Sequence, residues 1–189
     1  MSATTDLELL FAAGKWRVDR AQSVIGFRVE HLMIETVVGR FRDFDGMIDT
    51  GETPSITGSI RAASLETGHP ERDAHLRSFD FFDVERYPEL LFASTDVAIR
   101  ADGALTVVGD LTIKGITRPI ELRGVSRGAG NGLDGVERIA FDLRGELDRV
   151  DYGLTWNRAL EAGGILVGNV VELALGVAAV RDIAVELAA

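Results

Sequence analysis

From Trp16 onward, apolar and polar residues alternate with a period of two. In SVIGFRVEH, Ile25, Phe27 and Val29 fall on one face and Arg28 and Glu30 on the other, the pattern of a half-buried strand. VGRFRDFDGMIDTG reads as a second strand that closes on a glycine turn. Phe41 and Phe44 are an odd number of residues apart, which predicts a bulge between them. PSITGSIRAASLET places Ile56, Gly58, Ile60 and Ala62 in register as a third strand. After a break, LLFASTDVAIR, ALTVVGDLTIKG, ITRPIELRGVSR and ERIAFDLRGELDR follow, and ILVGNVVELALGVAAVRDIAVEL supplies the last strand or strands. GAGNGLDG reads as a glycine-rich hairpin loop. About eight to ten short strands with regular turn signals predict a sandwich or a barrel.

The alternation fails in GHPERDAHLRSFDFFDVERYPEL. HPERDAHLRS suits a short helix near residues 70–78, with Pro70 in the first turn, acids early and Arg77 late. Pro88 bars that helix from running into the next strand. Three rings follow it, Phe79, Phe81 and Phe82, among Asp80, Asp83, Glu85 and Arg86. Burying a Phe contributes roughly 1.5–3 kcal/mol, so at least two of the three should point inward. Asp80 and Asp83 would stay at a rim, capping backbone N–H groups or pairing with Arg77 or Arg86. The segment then reads as a lid across one barrel mouth.

A barrel removes the sheet edges that long, weakly guarded strands would otherwise expose. With eight strands, a barrel is just wide enough to be filled by side chains or to hold one small ligand. Gly26, Gly58, Gly109 and Gly145 lie within or beside apolar faces; an inward glycine leaves room for a ligand, or marks a bend. The fold class expected is all-β: a single antiparallel barrel of about eight strands with one short helix inserted.

The 189 residues fit one domain, with residues 1–14 as an extension and 15–189 as the barrel domain. Residues 5–13 could form one or two helical turns over a barrel end. The net charge of −10 disfavours nucleic acid and anionic membranes as partners. There is no cysteine, which removes disulfides and thiolate metal sites. The start MSATTDLELLFAAGK lacks the basic region and long apolar run of a signal peptide, so a cytoplasmic location is expected, without stable membrane insertion.

Four blocks carry a family resemblance. VEHLMIETVVGRFRDFDGMI, DAHLRSFDFFDVERYPELLFAST, GDLTIKGITRPIEL and DRVDYGLTWNRALEAGGILVGNVVEL, in that order along the chain, resemble the motif blocks of the YceI-like proteins. The resemblance runs from about Trp16 to about Val177. It implies an extended lipocalin-like barrel whose apolar interior binds a long polyisoprenoid or isoprenoid-quinone tail. It also implies transport or sequestration of that lipid, no required cofactor, no established catalytic set, and for several members a homodimer.

The apolar lumen expected on this reading comprises Phe27, Val29, Phe41, Phe44, Phe79, Phe82, Phe92, Leu111, Ile113, Phe141, Leu143, Tyr152, Trp156 and Val167. The polar mouth comprises His31, His75, Arg149 and Asp151. His75 could hydrogen-bond Asp73 or a head group. Arg149 and Asp151, two apart on a strand, would share a face and pair or hold a polar head. The three histidines lack metal-ligand spacing, and no serine lies in G-x-S-x-G. Two rivals stay open: a lipid hydrolase or isomerase on a barrel scaffold, and an interaction module with a filled core.

Overall fold

Alternation of buried and exposed positions produces eleven strands, interrupted by one α-helix, in the computed structural model, which describes residues 11–32, 34–159 and 166–183. β1 (Lys15–Val18) and β2 (Val24–His31) are two halves of one bent strand. The bend is a 3-10 turn over Arg20–Gln22, where the Asp19 carboxylate accepts the Ala21 N–H at 3.0 Å. β3 (Glu35–Phe41) and β4 (Phe44–Asp49) are likewise split at residues 42–43. This break is the phase shift that the Phe41–Phe44 spacing predicts, and both rings end up buried. β5 (Ser55–Arg61), β6 (Leu65–Glu66), α1 (Pro70–Arg77), β7 (Glu89–Ile99), β8 (Ala104–Ile113), β9 (Ile116–Asn131), β10 (Glu137–Asp148) and β11 (Val167–Arg181) complete the order.

Neighbouring strands pair antiparallel, and eight of them close a ring: β1, β4, β5, β7, β8, β9, β10, β11 and back to β1. Trp16 joins the ends of that ring, facing Ile48 on one side and Arg181 on the other. β11 is shared along its length. Its C-terminal part pairs with β1 and the rest of that edge with β2. Beyond the ring, β2 pairs with β3, and the far edge of β3 meets only the two-residue β6. α1 follows β6 and packs against it, so the helix and the lid occupy the gap that β3 leaves beside β5. This is the expected closed eight-stranded barrel, with a single short α-helix among the described residues.

One end is solid. Phe11, Trp16, Ile99, Leu105, Ile139 and Ala179 are buried there in a single cluster. The Trp16 indole N–H donates to Thr50 Oγ1 at 2.9 Å, and that hydroxyl donates to the Ala12 carbonyl at 2.9 Å. Most of the proposed 5–13 helical segment lies outside the described residues.

The GAGNGLDG stretch is not all loop. β9 runs through Asn131, and the register against β10 shifts between Ala140 and Phe141 opposite Gly128, whose φ of 93° suits only glycine. Pro119 breaks no ladder: it lies where β9 pairs with β8 but not yet with β10.

Candidate functional site

Inside the barrel, toward the end opposite Trp16, lies a chamber of about 230 Å³. A second chamber of about 310 Å³ adjoins it beneath α1. Phe27, Val29, Leu76, Phe81 and Val167 border both, so the two form one passage from lumen to mouth. Among the predicted lumen residues, Phe27, Val29, Phe41, Phe44, Phe82, Phe92, Leu111, Ile113, Phe141, Leu143 and Val167 line the deep chamber. Trp156 lines the outer one. Leu76, Phe81, Leu154, Leu173, Leu175 and Val177 also line the passage, and the sequence reading missed them.

The lid sorts its three rings by local hydrogen bonding. α1 ends at Ser78, whose N–H donates to the His75 carbonyl at 3.1 Å and whose hydroxyl donates to the same oxygen at 2.7 Å. The chain then folds back: Phe82 N–H donates to Leu76 O at 3.0 Å, and Asp83 N–H to Ser78 O at 2.9 Å, with Asp83 at a left-handed φ of 49°. This reversal turns Phe81 and Phe82 inward. Phe41 and Phe82 meet edge-on with centroids 6.0 Å apart, and Phe81 lies 5.4 Å from Trp156. Phe79 is a correction. It is 76% exposed on the outer side of the reversal, and Lys114 Nζ donates to its carbonyl at 3.2 Å.

The glycines divide evenly. Gly26 and Gly58 border the chamber. Gly109 and Gly145 do not open it: a Cβ on Gly109 would stand 2.5 Å from the Phe92 ring, and one on Gly145 2.6 Å from Leu122. Those side chains already fill the space.

The outer chamber holds the polar groups. His31, His69, Arg72 and His75 border it. His75 Nε2 lies 2.9 Å from Asp80 Oδ2, and its ring meets Trp156 edge-on at 4.6 Å. Asp73, the partner considered from sequence, instead accepts the Thr67 N–H at 2.9 Å and hydroxyl at 2.5 Å. His31 Nδ1 is buried without a hydrogen bond, 3.7 Å from Glu35. Among the described residues, no three His, Asp or Glu side chains group as metal ligands, and no helix is long and apolar enough to cross a membrane.

Arg149 and Asp151 correct the strand reading of that segment. Residues Arg149–Tyr152 form a 3-10 turn, opened by the Asp148 carboxylate accepting the Val150 N–H and closed by Gly153 at φ 72°. Residues two apart therefore do not share a face. Asp151 is exposed and borders neither chamber. Arg149 is buried in the chamber wall with its five N–H donors spent. They reach the carbonyls of Gly168 at 2.8 Å, Trp156 at 3.0 Å, Val167 at 3.2 Å and Leu154, and the Asn169 side chain at 3.4 Å. Burial pulls its guanidinium pKa below the usual value, with Asp148 opposing. This residue ties the β10–β11 connection together. Tyr152 is buried without bordering the cavity; its hydroxyl has no partner, and burial pushes its pKa up to about 12.

Comparison with known proteins agrees with this geometry. A UPF0312 protein of Staphylococcus epidermidis is 35% identical over 167 residues, covering 84% of this chain and 92% of the relative. A UPF0312 protein of Photorhabdus laumondii is 38% identical over 146 residues, 74% of this chain and 76% of that one. Among solved structures, a Campylobacter jejuni YceI protein superposes with a TM-score of 0.68 at 29% identity, covering 81% of this chain and 90% of its own. A polyisoprenoid-binding domain from Saccharophagus degradans shares the fold at 16% identity, with a TM-score of 0.68 over 90% of this chain and 99% of its own. The model of the YceI-like domain matches residues 16–179, so this chain belongs to the YceI-like family.

Proposed function

We propose that this protein binds the apolar tail of an amphiphilic lipid, of the polyisoprenoid or isoprenoid-quinone type, inside the barrel, and carries or sequesters it. One observation carries the reading: a closed sheet surrounds an apolar chamber that its own side chains leave unfilled, and that chamber continues to a mouth lined by His31, His69, Arg72 and His75. Each CH₂ moved from water into such a space contributes about 0.8 kcal/mol. A tail of several isoprene units would therefore bind by burial alone, with one or two polar contacts placing the head. The name of the Saccharophagus degradans domain, which shares this fold, supports the isoprenoid class.

Organic-solvent extraction of the purified protein followed by mass spectrometry should release a long-chain isoprenoid in near-stoichiometric amount. Phe82→Asp sets a charge into the deep chamber wall and should abolish retention while the barrel still folds, as circular dichroism would report. An extract free of lipid, from protein that also fails to retain a long-chain polyprenol added to it, would overturn the reading.

A further inference from the structure

The turns that surround the mouth carry an unexpected set of exposed apolar side chains. The open end of the barrel is bounded by the β2–β3 tip, the α1–β7 lid, the β8–β9 turn and the β10–β11 connection. Ile34 on the first is 88% exposed, with Leu32 beside it; Phe79 is exposed on the lid and Val150 on the β10–β11 connection. None of the four borders the cavity. Their neighbours do: His31 on the same tip, Phe81 on the same lid and Arg149 on the same connection. The apolar residues thus crown the opening rather than line it.

Resting on the lipid-binding reading above, we infer that this crown docks the mouth against the surface of a zwitterionic lipid bilayer, so that the tail passes between bilayer and barrel without crossing water. Three observations favour a bilayer over a protein partner. The apolar groups stand on separate turn tips, which suits insertion among head groups better than a continuous complementary face. The opening lies among them. Charge around it is mixed: Lys114 stands on the β8–β9 turn and Arg86 on the lid, with Asp80, Asp83 and Glu85 also on the lid and Asp151 on the β10–β11 connection. The rim therefore does not repel a zwitterionic surface, while the net charge of −10 works against strong adsorption to an anionic one. Docking would be transient, driven by a few side chains.

The full chain loaded with a fluorescent long-chain polyprenol, mixed with phosphatidylcholine vesicles carrying a quencher, tests this. The transfer rate should rise in proportion to vesicle concentration. The double variant Ile34→Asp with Phe79→Asp should transfer at least about tenfold more slowly, because burial of one large apolar side chain corresponds to roughly a tenfold change in binding. Its equilibrium retention of the polyprenol without vesicles should be unchanged, and Leu133→Asp, exposed on the β9–β10 turn at the opposite end, should transfer as the unmodified protein does. A rate indifferent to vesicle concentration, or a double variant as fast as the parent, overturns the inference while leaving lipid binding intact. Conversion of a dimer to a monomer by the double variant, seen by sedimentation, would assign the crown to a second copy of the chain and overturn it too. Failure of the unmodified protein to retain the polyprenol would instead overturn the binding reading on which the inference rests.

Discussion

The two ends of this barrel are made from one continuous sheet, yet one is solid and the other hollow. At the closed end Trp16, Ile99, Ile139 and Ala179 are all but fully buried, and none borders the chamber. There β1 bonds to β4 on one edge and β11 on the other, and side chains meet across the ring. At the open end β2 and β3 replace β1 and β4, and β3 has no long partner on its far side. The helix and lid must complete the wall. The hollow half carries Phe27, Phe41, Phe82 and Phe92, larger than most of what fills the solid half, and is still not full. Strand pairing, more than residue size, creates the space.

If the solid half supplies stability and the hollow half supplies binding, the two should respond differently to truncation. The largest loss of stability is expected for Trp16→Ala, which empties the site of the largest fully buried side chain and removes the indole donor to Thr50 Oγ1: about 3–5 kcal/mol by urea unfolding, with polyprenol retention by the folded fraction preserved. Arg149→Met should follow, at about 2–3 kcal/mol, because several buried carbonyls lose their donor. A cost under about 1 kcal/mol would show that the β10–β11 connection closes without it. Phe82→Ala should cost only about 1 kcal/mol in thermal unfolding, since one side of the ring already faces open space, yet it should speed release of bound polyprenol. A stability loss as large as that of Trp16→Ala would erase the contrast between the halves.

The smallest effect concerns Tyr152. Its hydroxyl pKa is raised by burial to about 12, above the value near 10 of an unfolded chain. The protonated phenol therefore favours the fold fully below about pH 10, and that contribution is lost as pH rises towards 12. Tyr152→Phe should remove this part of the alkaline loss in a comparison of pH titrations of stability. At neutral pH it should be neutral or stabilising by up to about 1 kcal/mol, because the hydroxyl it deletes has no partner.

Most strands were legible because each has one wet and one dry face, and period two follows directly from that. The β3–β4 break was legible from the odd spacing of Phe41 and Phe44, and α1 from Pro70 and its flanking charges. The lid was only half legible. A chain reversal has no period, so which of Phe79, Phe81 and Phe82 turns outward depends on Ser78 and on the backbone of α1, and nothing in the spacing reports it. The Arg149–Asp151 pairing failed for a different reason: a strand was extended into a segment that Asp148 and Gly153 mark as a capped turn. Those two residues were the available signal. Gly109 and Gly145 misled because a missing side chain looks the same in sequence whether a ligand or a neighbouring ring takes its place.

The pairing of Trp16 with Arg181 has a kinetic consequence. β1 is the first strand described and β11 the last, so the ring cannot shut until nearly the whole domain has left the ribosome. Contacts between such remote segments form slowly, since a long loop must be closed before they repay its entropy. Until β11 arrives, β1, β2 and β10 each present a bare edge to the crowded surroundings. Nascent chains that stall short of Val167 should therefore be the species of this protein most prone to aggregate.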